Sequence, residues 1–354
     1  MPTGSRFIVT PGIIVGDIRW ITGGAAVPPP RPMTAEEMIA ARDIMRKRPK
    51  LPLTESKDTF VPPFLISPNN KVTFGLDAEF IIRDKDTNLP VSMIDKIGGT
   101  KRHPLKVPYG ALQEDGVLAE INIDPARTLF EWERNITTVL KCLENMVKKY
   151  NCYVDYNSIT AEYPISEMKD HRAWESGCDP DFNCWTDNKN DPKEFESTLR
   201  TCGGHIHVGF KGINSFRPDF RNSLARTLDY YVGVPLFFYE PENKRRELYG
   251  SPGAFRPKPY GVELRTPSNY WLKSPQMRKY TFFLLCIALE KDFIGNDAFS
   301  GSEIYSKSES KNIVSYHKIS LEEFNKSLKK FYTKDILVGE VTKLDVILPE
   351  IRHV

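Results

Sequence analysis

The chain has 354 residues, of which 40% are hydrophobic and 27% charged, which is the composition of a globular protein. Lys and Arg total 49 and Asp and Glu 46, for a net charge of +3. This near balance disfavours a general nucleic-acid coat protein but leaves room for a local phosphate pocket. The chain has no 18-residue apolar run and no signal-peptide pattern, and its six cysteines are scattered. We therefore expect a cytoplasmic protein with reduced thiols and no membrane partner.

The first 68 residues are rich in proline, with 11 of the 27 prolines in the chain. Proline lacks an amide donor and fixes φ, so this stretch cannot be a regular core element throughout. Thr34 followed by Glu37 predicts one capped helix within it. We interpret residues 1–68 as an extended arm that wraps the main domain or a partner.

From Lys71 onward, short apolar segments alternate with helical patterns. Strands are predicted at 71–84, 111–124 (a turn and a strand), 152–157, 203–210 and 260–269. Helices are predicted at 130–150, at 216–240 with a break near Gly233 and Pro235, at 274–292 and at 320–332. Strands joined by short turns, with helices added in blocks, favour an α+β fold with an antiparallel sheet. We expect one domain over 69–295, with an irregular polar insertion at 163–200, and a helical extension over 296–354.

Four of the predicted strands carry polar residues two positions apart in apolar surroundings. The pairs are Asp77 and Glu79, Glu120 and Asn122, His205 and His207, and Glu263 and Arg265. Residues at i and i+2 on a strand point to the same face, so one sheet would gather these groups on one side. For any single pair, the solvated face of an antiparallel sheet is the better interpretation. Four such pairs together favour a functional site over a solvated sheet face.

A face of buried carboxylates needs compensating charge, because an unpaired buried charge is very costly. Divalent cations would supply that charge, and oxygen ligands with an imidazole suit Mg²⁺ or Mn²⁺. Gly203, Gly204 and Gly209 flank the His-x-His pair and leave space for a phosphate or a substrate backbone.

A basic segment precedes the last polar pair. Arg245 and Arg246 are followed by Tyr-Gly-Ser-Pro-Gly (249–253) and then by Arg256. A glycine-rich turn between arginines can wrap a polyphosphate, with guanidinium groups on its oxygens. The alternative is an ordinary surface loop with basic residues.

Taken in order, these segments resemble the glutamine synthetase/glutamate–cysteine ligase superfamily, and most of all its phage-type carboxylate–amine ligase branch. The resemblance covers about 70–292 and is carried by GLDAEF (75–80), EDGVLAEIN (114–122), GGHIHVGF (203–210) and RRELYGSPGAFRPKPYGVELRTPSNYW (245–271). It implies a curved antiparallel sheet with flanking helices, similar to the catalytic domains of glutamine synthetase and guanidino kinases. It also implies ATP, Mg²⁺ or Mn²⁺, a small-molecule or peptide carboxylate and an amine. A homo-oligomer is compatible with it, and a phage-encoded protein would act in the host cytoplasm.

The same resemblance implies a role for each candidate residue. The implied metal ligands are Asp77, Glu79, Glu120, His205 and Glu263. His207 would lie on the substrate side, Arg265 would face the transferred phosphate, and the nucleotide would contact Arg246, Arg256, Gly203 and Gly204. Asp115 is a candidate for the base that accepts the amine's proton. Two positions depart from the family pattern: Asp77 stands where Glu is common, and Gly261 where glutamine synthetase has arginine.

The predicted reaction is ATP-dependent ligation, in which a carboxylate attacks the γ-phosphate and an amine then displaces phosphate from the acyl phosphate. A guanidino-kinase type of phosphotransfer, without amide formation, is an alternative. A non-catalytic binding or structural protein that retains the sheet is another. A metal hydrolase built on His205 and His207 is the least favoured, because no third nitrogen or sulfur ligand is evident.

Overall fold

The structure is a computed structural model that describes residues 71–174, 181–190, 197–211, 218–241 and 244–294, together with 306–307 and 314–315. The predicted arm at 1–68 and the predicted helix at 320–332 lie outside these residues. So does most of the predicted extension at 296–354, in which Ser306–Lys307 and Val314–Ser315 form a short antiparallel pair. Everything described belongs to the second of two compact units, residues 49–354.

The predicted strands and helices that fall within the described residues are present in the predicted order, together with further short elements that the patterns did not predict. The strands are β1 (Lys71–Asp84), β2 (Leu105–Val107), β3 (Gly110–Asp115), β4 (Leu118–Ile123), β5 (Cys152–Asp155), β6 (Thr160–Glu162), β7 (Asp181–Asn183), β8 (Lys189–Asn190), β9 (Leu199–Thr201), β10 (Gly204–Lys211), β11 (Ala254–Lys258) and β12 (Gly261–Leu264). The helices are α1 (Leu129–Val147), α2 (Pro218–Leu228), α3 (Val234–Phe237), α4 (Lys244–Leu248) and α5 (Pro275–Ile294). A π-helical turn over Asp229–Gly233 separates α2 from α3, at the predicted break. No helix in the described part of the chain is long and apolar enough to cross a bilayer.

Ten strands form the main sheet, in the order β2-β3-β4-β1-β10-β12-β11-β7-β8, with β5 paired to the far end of β1. The paired neighbours run antiparallel. The predicted α+β class with an antiparallel sheet is therefore confirmed. Because β1 is the longest strand and lies near the middle of the sheet, it places Asp77 and Glu79 between β4 and β10.

The helix α1 begins where its sequence predicts. The Thr128 hydroxyl accepts a hydrogen bond from the backbone N–H of Glu131 at 3.1 Å, which satisfies one of the free donors at the start of the helix. The apolar stripe of α1 is buried against the sheet and includes Trp132, Ile136, Val139 and Leu143.

The hydrophobic core lies between one face of the sheet and the helices α1 and α5. Trp132 of α1 stacks on Trp271 with 5.6 Å between ring centroids, and Phe74 of β1 meets Phe282 of α5 edge-on at 5.4 Å. Phe74 belongs to the even-numbered positions of β1, which point into this core. The odd-numbered positions, which include Asp77 and Glu79, therefore lie on the opposite face.

The segment at 163–200 differs from the irregular insertion that its polar sequence predicts. Its strand β7 joins the main sheet, where Phe182 pairs with Phe255 of β11. Earlier in the segment, Tyr163 and Met168 pack with Ile81 of β1 in a second, smaller apolar cluster. The pattern missed β7 because that strand has three residues and only one of them is apolar.

Candidate active site

The four polar pairs lie on one face of the sheet because their strands are neighbours in register. Asp77 is directly opposite His205, Glu79 is opposite Glu120, and His207 is opposite Glu263. Residues directly opposite each other in an antiparallel pair point to the same side. The strands β4, β1, β10 and β12 thus carry one continuous polar face.

Carboxylates gather at one end of this face, here called the acidic end and made of Glu79, Asp115 and Glu120. Glu79 and Glu120 are buried, and Glu79 Oε2 accepts the N–H of Gly203 at 2.6 Å. Burial, followed by the charge of Asp115, raises the pKa of Glu79 to about 7. The same two causes raise the pKa of Glu120 well above its ordinary value. The fold therefore holds acidic groups where their charge is under-compensated.

Asp77 lies at the centre of the face between the two histidines. Its Oδ1 is 2.8 Å from His205 Nδ1 and its Oδ2 is 3.1 Å from His207 Nε2. Burial alone would raise the pKa of Asp77, but the two imidazoles hold it well below its ordinary value. Burial, followed by the charge of Arg265, lowers the pKa of His205 to about 4. Tyr260 Oη lies 2.5 Å from His207 Nδ1 and fixes the orientation of that ring.

The other end of the face, here called the basic end, is made of Arg256, Lys258 and Arg265 around Glu263. Among the described residues, these three cations contact the buried Glu263 carboxylate: Arg265 Nη1 pairs with Oε1, Lys258 Nζ lies 2.6 Å from Oε2, and Arg256 Nη1 lies 3.6 Å from Oε2. Arg265 Nε also contacts Asp181 Oδ2 of β7 at 3.2 Å. Charge is thus distributed unevenly over the face, with carboxylates at the acidic end and most of the cationic side chains at the basic end.

The residues present fit a divalent cation. Asp77, His207 and Glu263 offer ligand atoms that all lie within 4.8 Å of one another. Glu120 Oε2 is buried and has no hydrogen-bond partner among the described residues. Buried polar atoms left in this state are costly, and a cation is the partner that carboxylate and imidazole ligands share. The geometric grouping includes His207, whereas the sequence assigned the metal to His205.

Three predicted nucleotide contacts have other partners in the structure. The guanidinium of Arg246 donates to both oxygens of Glu240 and to the carbonyl of Gly250. A Cβ at Gly203 would overlap the ring of His205, and one at Gly204 would overlap the carbonyl oxygen of Ser268. These glycines therefore permit close packing within the protein, and Arg246 stabilises the turn that was predicted to wrap a phosphate. Arg256 is the predicted contact that does face the site.

Replacing Gly204 by Ala is expected to destabilise the protein by about 1–3 kcal/mol, because backbone atoms of Ser268 occupy the space of the new methyl group. Urea denaturation measures the change. Gly75→Ala is the matched control, since a Cβ at Gly75 would meet His207 Cβ at an ordinary 3.5 Å. Equal stability of the two variants would contradict the packing role of Gly204.

The sequence patterns missed three charged residues of this face: Lys101, Asp181 and Lys258. Lys258 had a usable signal, because Arg256 and Lys258 are also two positions apart on a strand. It is directly opposite Gly261, where no side chain fits because a Cβ would overlap the carbonyl oxygen of Val208. Lys258 therefore supplies a cation next to Gly261, the position at which the sequence resemblance led us to expect arginine. Lys101 and Asp181 come from segments without any periodic pattern.

Comparison with known proteins gives one family. Residues 197–332 match the family model described as phage phiEco32-like COOH.NH2 ligase, type 2. No curated protein matches the chain. A solved structure titled "GmaS/ADP complex-Conformation 1" is 10% identical, with a TM-score of 0.34, and the similarity covers 80% of this chain and 75% of that one. The residues Glu79, Asp115 and Glu120 lie outside the matched segment. The segment that carries His205, His207, Glu263 and Arg265 thus matches a carboxylate–amine ligase family, as the resemblance in the sequence predicts.

Proposed function

We propose that the protein is an ATP- and Mg²⁺-dependent ligase that activates a carboxylate as an acyl phosphate and joins it to an amine. The observation that carries the proposal is the single polar face with an acidic end and a basic end, part of which lies within the matched ligase segment.

The need for a phosphoryl donor follows from the chemistry of amide formation. A carboxylate is a poor electrophile, because its leaving group would be an oxide. Phosphorylation converts that oxygen into a good leaving group, and ATP is the donor that suits a face lined by cations. Arg256, Lys258 and Arg265 offer guanidinium and ammonium groups for the phosphate oxygens.

In this proposal the acidic side chains hold cations and the basic ones hold phosphate. Asp77, His207 and Glu263 are candidate metal ligands because their ligand atoms lie close together. Glu79 and Glu120 are further candidates because they are buried directly opposite each other at the acidic end. A divalent cation bound there would neutralise phosphate charge during transfer. Arg265 is fixed between Glu263 and Asp181, so its guanidinium is already oriented before the substrate arrives. The chain's contribution is mainly positioning and electrostatic stabilisation.

The amine must lose a proton before or while it attacks. Asp115 is the candidate base because it is the carboxylate of the acidic end at the end of β3 and is less buried than Glu79 and Glu120. It is held there by an ion pair with Lys101. His205 and His207 are less suited to this task, since both are engaged with Asp77.

The test uses hydroxylamine as a general amine. The purified chain is incubated with ATP, Mg²⁺ and a mixture of amino acids and short peptides, and ADP and hydroxamate are measured together. We expect both products in equal amounts, and neither when EDTA replaces Mg²⁺. Calorimetry with ATP and Mg²⁺ tests the binding step separately.

Each other outcome separates the proposal from its rivals. ADP with a phosphorylated acceptor and no hydroxamate would indicate a phosphotransferase. Absence of nucleotide binding in calorimetry would overturn the proposed function and leave a binding or structural role.

A further inference from the structure

Lys101 reaches the acidic end from a loop that the sequence patterns did not connect with it. Its Nζ lies 2.8 Å from Asp115 Oδ1, and 43% of its side chain is exposed. Burial alone would lower the pKa of Lys101, but the charges of Asp115 and Glu120 raise it instead. The ammonium group of Lys101 therefore interacts with Glu120 as well as with Asp115.

The loop that carries Lys101 is built to hold it in this place. Thr100 and His103 exchange two backbone hydrogen bonds, of 3.1 and 3.0 Å, and Lys101 sits in the tight turn between them. The carbonyl of Gly99 accepts the N–H of Glu114 on β3 at 2.8 Å. A Cβ at Gly99 would overlap the backbone of Leu112 and Leu105, so the loop lies directly on the edge of the sheet. Lys101 is thus aimed from a fixed turn and differs in this from an ordinary surface lysine.

The acidic end has three carboxylates and one ammonium group in direct contact with one of them, and Arg265 is a further cation whose charge reaches Glu79. Glu79, Asp115 and Glu120 carry −3 when ionised, and Lys101 returns +1, which leaves −2 among these four groups. Glu120 Oε2 is buried and makes no hydrogen bond, so it is available as a ligand. The remaining charge equals that of one divalent cation.

We propose that Lys101 is a built-in cation of the acidic end that holds Asp115 in an ion pair, leaves Glu79 and Glu120 as the ligands of one divalent ion, and weakens the binding of that ion by repulsion. The inference rests on the cation site of the proposed function. A site that binds its ion weakly suits an ion that enters and leaves together with a nucleotide. It suits less well an ion that stays bound through every turnover. Lys101 is in this sense a positioning residue of the site.

The experiment compares Lys101→Met with Lys141→Met, a control on the exposed face of α1. Mn²⁺ binding is measured by electron paramagnetic resonance of the free ion, without nucleotide. We expect Lys101→Met to bind Mn²⁺ more tightly, on the order of ten-fold, because a nearby positive charge has been removed. Without metal, in EDTA, the melting temperature of the same variant is expected to fall by about 2 °C and to recover with Mn²⁺. Lys101→Arg should behave like the wild type in both measurements.

Unchanged or weaker Mn²⁺ binding by Lys101→Met would overturn the inference. If the wild type bound no Mn²⁺ at all, the proposed cation site would fail, while the melting temperatures in EDTA would still decide whether Lys101 neutralises the acidic end. Should Lys101→Met not fold, Lys101→Gln keeps the side chain polar and gives the same comparison.

Discussion

Replacing Glu120 by Gln is expected to abolish divalent-cation binding and, at the same time, to make the metal-free protein more stable at pH 8. Both effects have one cause. Glu120 is a buried carboxylate directly opposite Glu79, and burial raises the pKa of each. An amide of the same shape removes a costly charge and also removes a metal ligand. For Glu79, a rise from 4.5 to about 7 corresponds to at most about 3 kcal/mol at alkaline pH.

The sign of the pH dependence follows from these directions. Between its ordinary value and its folded value, Glu79 binds more protons in the folded state, so unfolding becomes easier as pH rises from 4.5 to about 7. His205 acts in the opposite direction between about 4 and 6.5, because its folded pKa is lowered. Above pH 6.5 the effect of His205 is complete and that of Glu79 continues, and the raised pKa of Glu120 acts in the same direction as that of Glu79. The metal-free protein should therefore lose stability from pH 6.5 to 8.

Urea denaturation in EDTA at pH 6.5, 7.2 and 8 measures this slope. Glu120→Gln and Glu79→Gln should each reduce it, and added Mn²⁺ should reduce it in the wild type. Glu162→Gln, at an exposed position, is the control. If stability rises with pH across this range, or if Glu120→Gln leaves the slope unchanged, other groups compensate the charges of these carboxylates.

Replacing Arg265 by Lys is expected to lower kcat by about 10³-fold, the effect of losing an arginine that stabilises charge in phosphoryl transfer. Arg265 contacts Glu263 through Nη1 and Asp181 through Nε, which its planar guanidinium can do at the same time. A lysine ammonium cannot span both carboxylates while it faces a phosphate. The measurement is the rate of ADP and hydroxamate formation at saturating ATP.

Arg256→Lys is the matched control for Arg265. Arg256 lies 3.6 Å from Glu263 and is more exposed than Arg265, so its conservative replacement should cost only about ten-fold in rate. Melting temperatures show whether Arg265→Lys still folds. A folded Arg265→Lys variant with a rate close to that of Arg256→Lys would place Arg265 in the structure of the basic end and outside the chemistry.

The polar face could be predicted because it follows from local spacing. Asp77 and Glu79, or His205 and His207, share a face of any strand that contains them, and the apolar residues between them require that this strand be half buried. Which strands lie side by side depends on the whole chain. The pairing of Glu79 with Glu120 and of His207 with Glu263 therefore became visible only with the register of the sheet.

Some residues with a predicted site role have structural partners that the sequence did not indicate. Arg246 and Arg256 are both arginines of the basic segment, so the sequence does not distinguish them. In the structure Arg246 donates to Glu240, whereas Arg256 contacts Glu263 in the site. Gly203 and Gly204 leave space, but neighbouring parts of the protein use it. Asp181 belongs to a three-residue strand whose pattern is too short to detect, although it fixes Arg265.

The uneven distribution of charge over the polar face of the sheet also favours one orientation of a bound ligand. A ligand that is positive at one end and negative at the other gains attraction at both ends in one orientation and meets repulsion at both in the reverse orientation. Such a surface would orient an approaching molecule before contact, and dissolved salt would weaken this effect because it screens the charges.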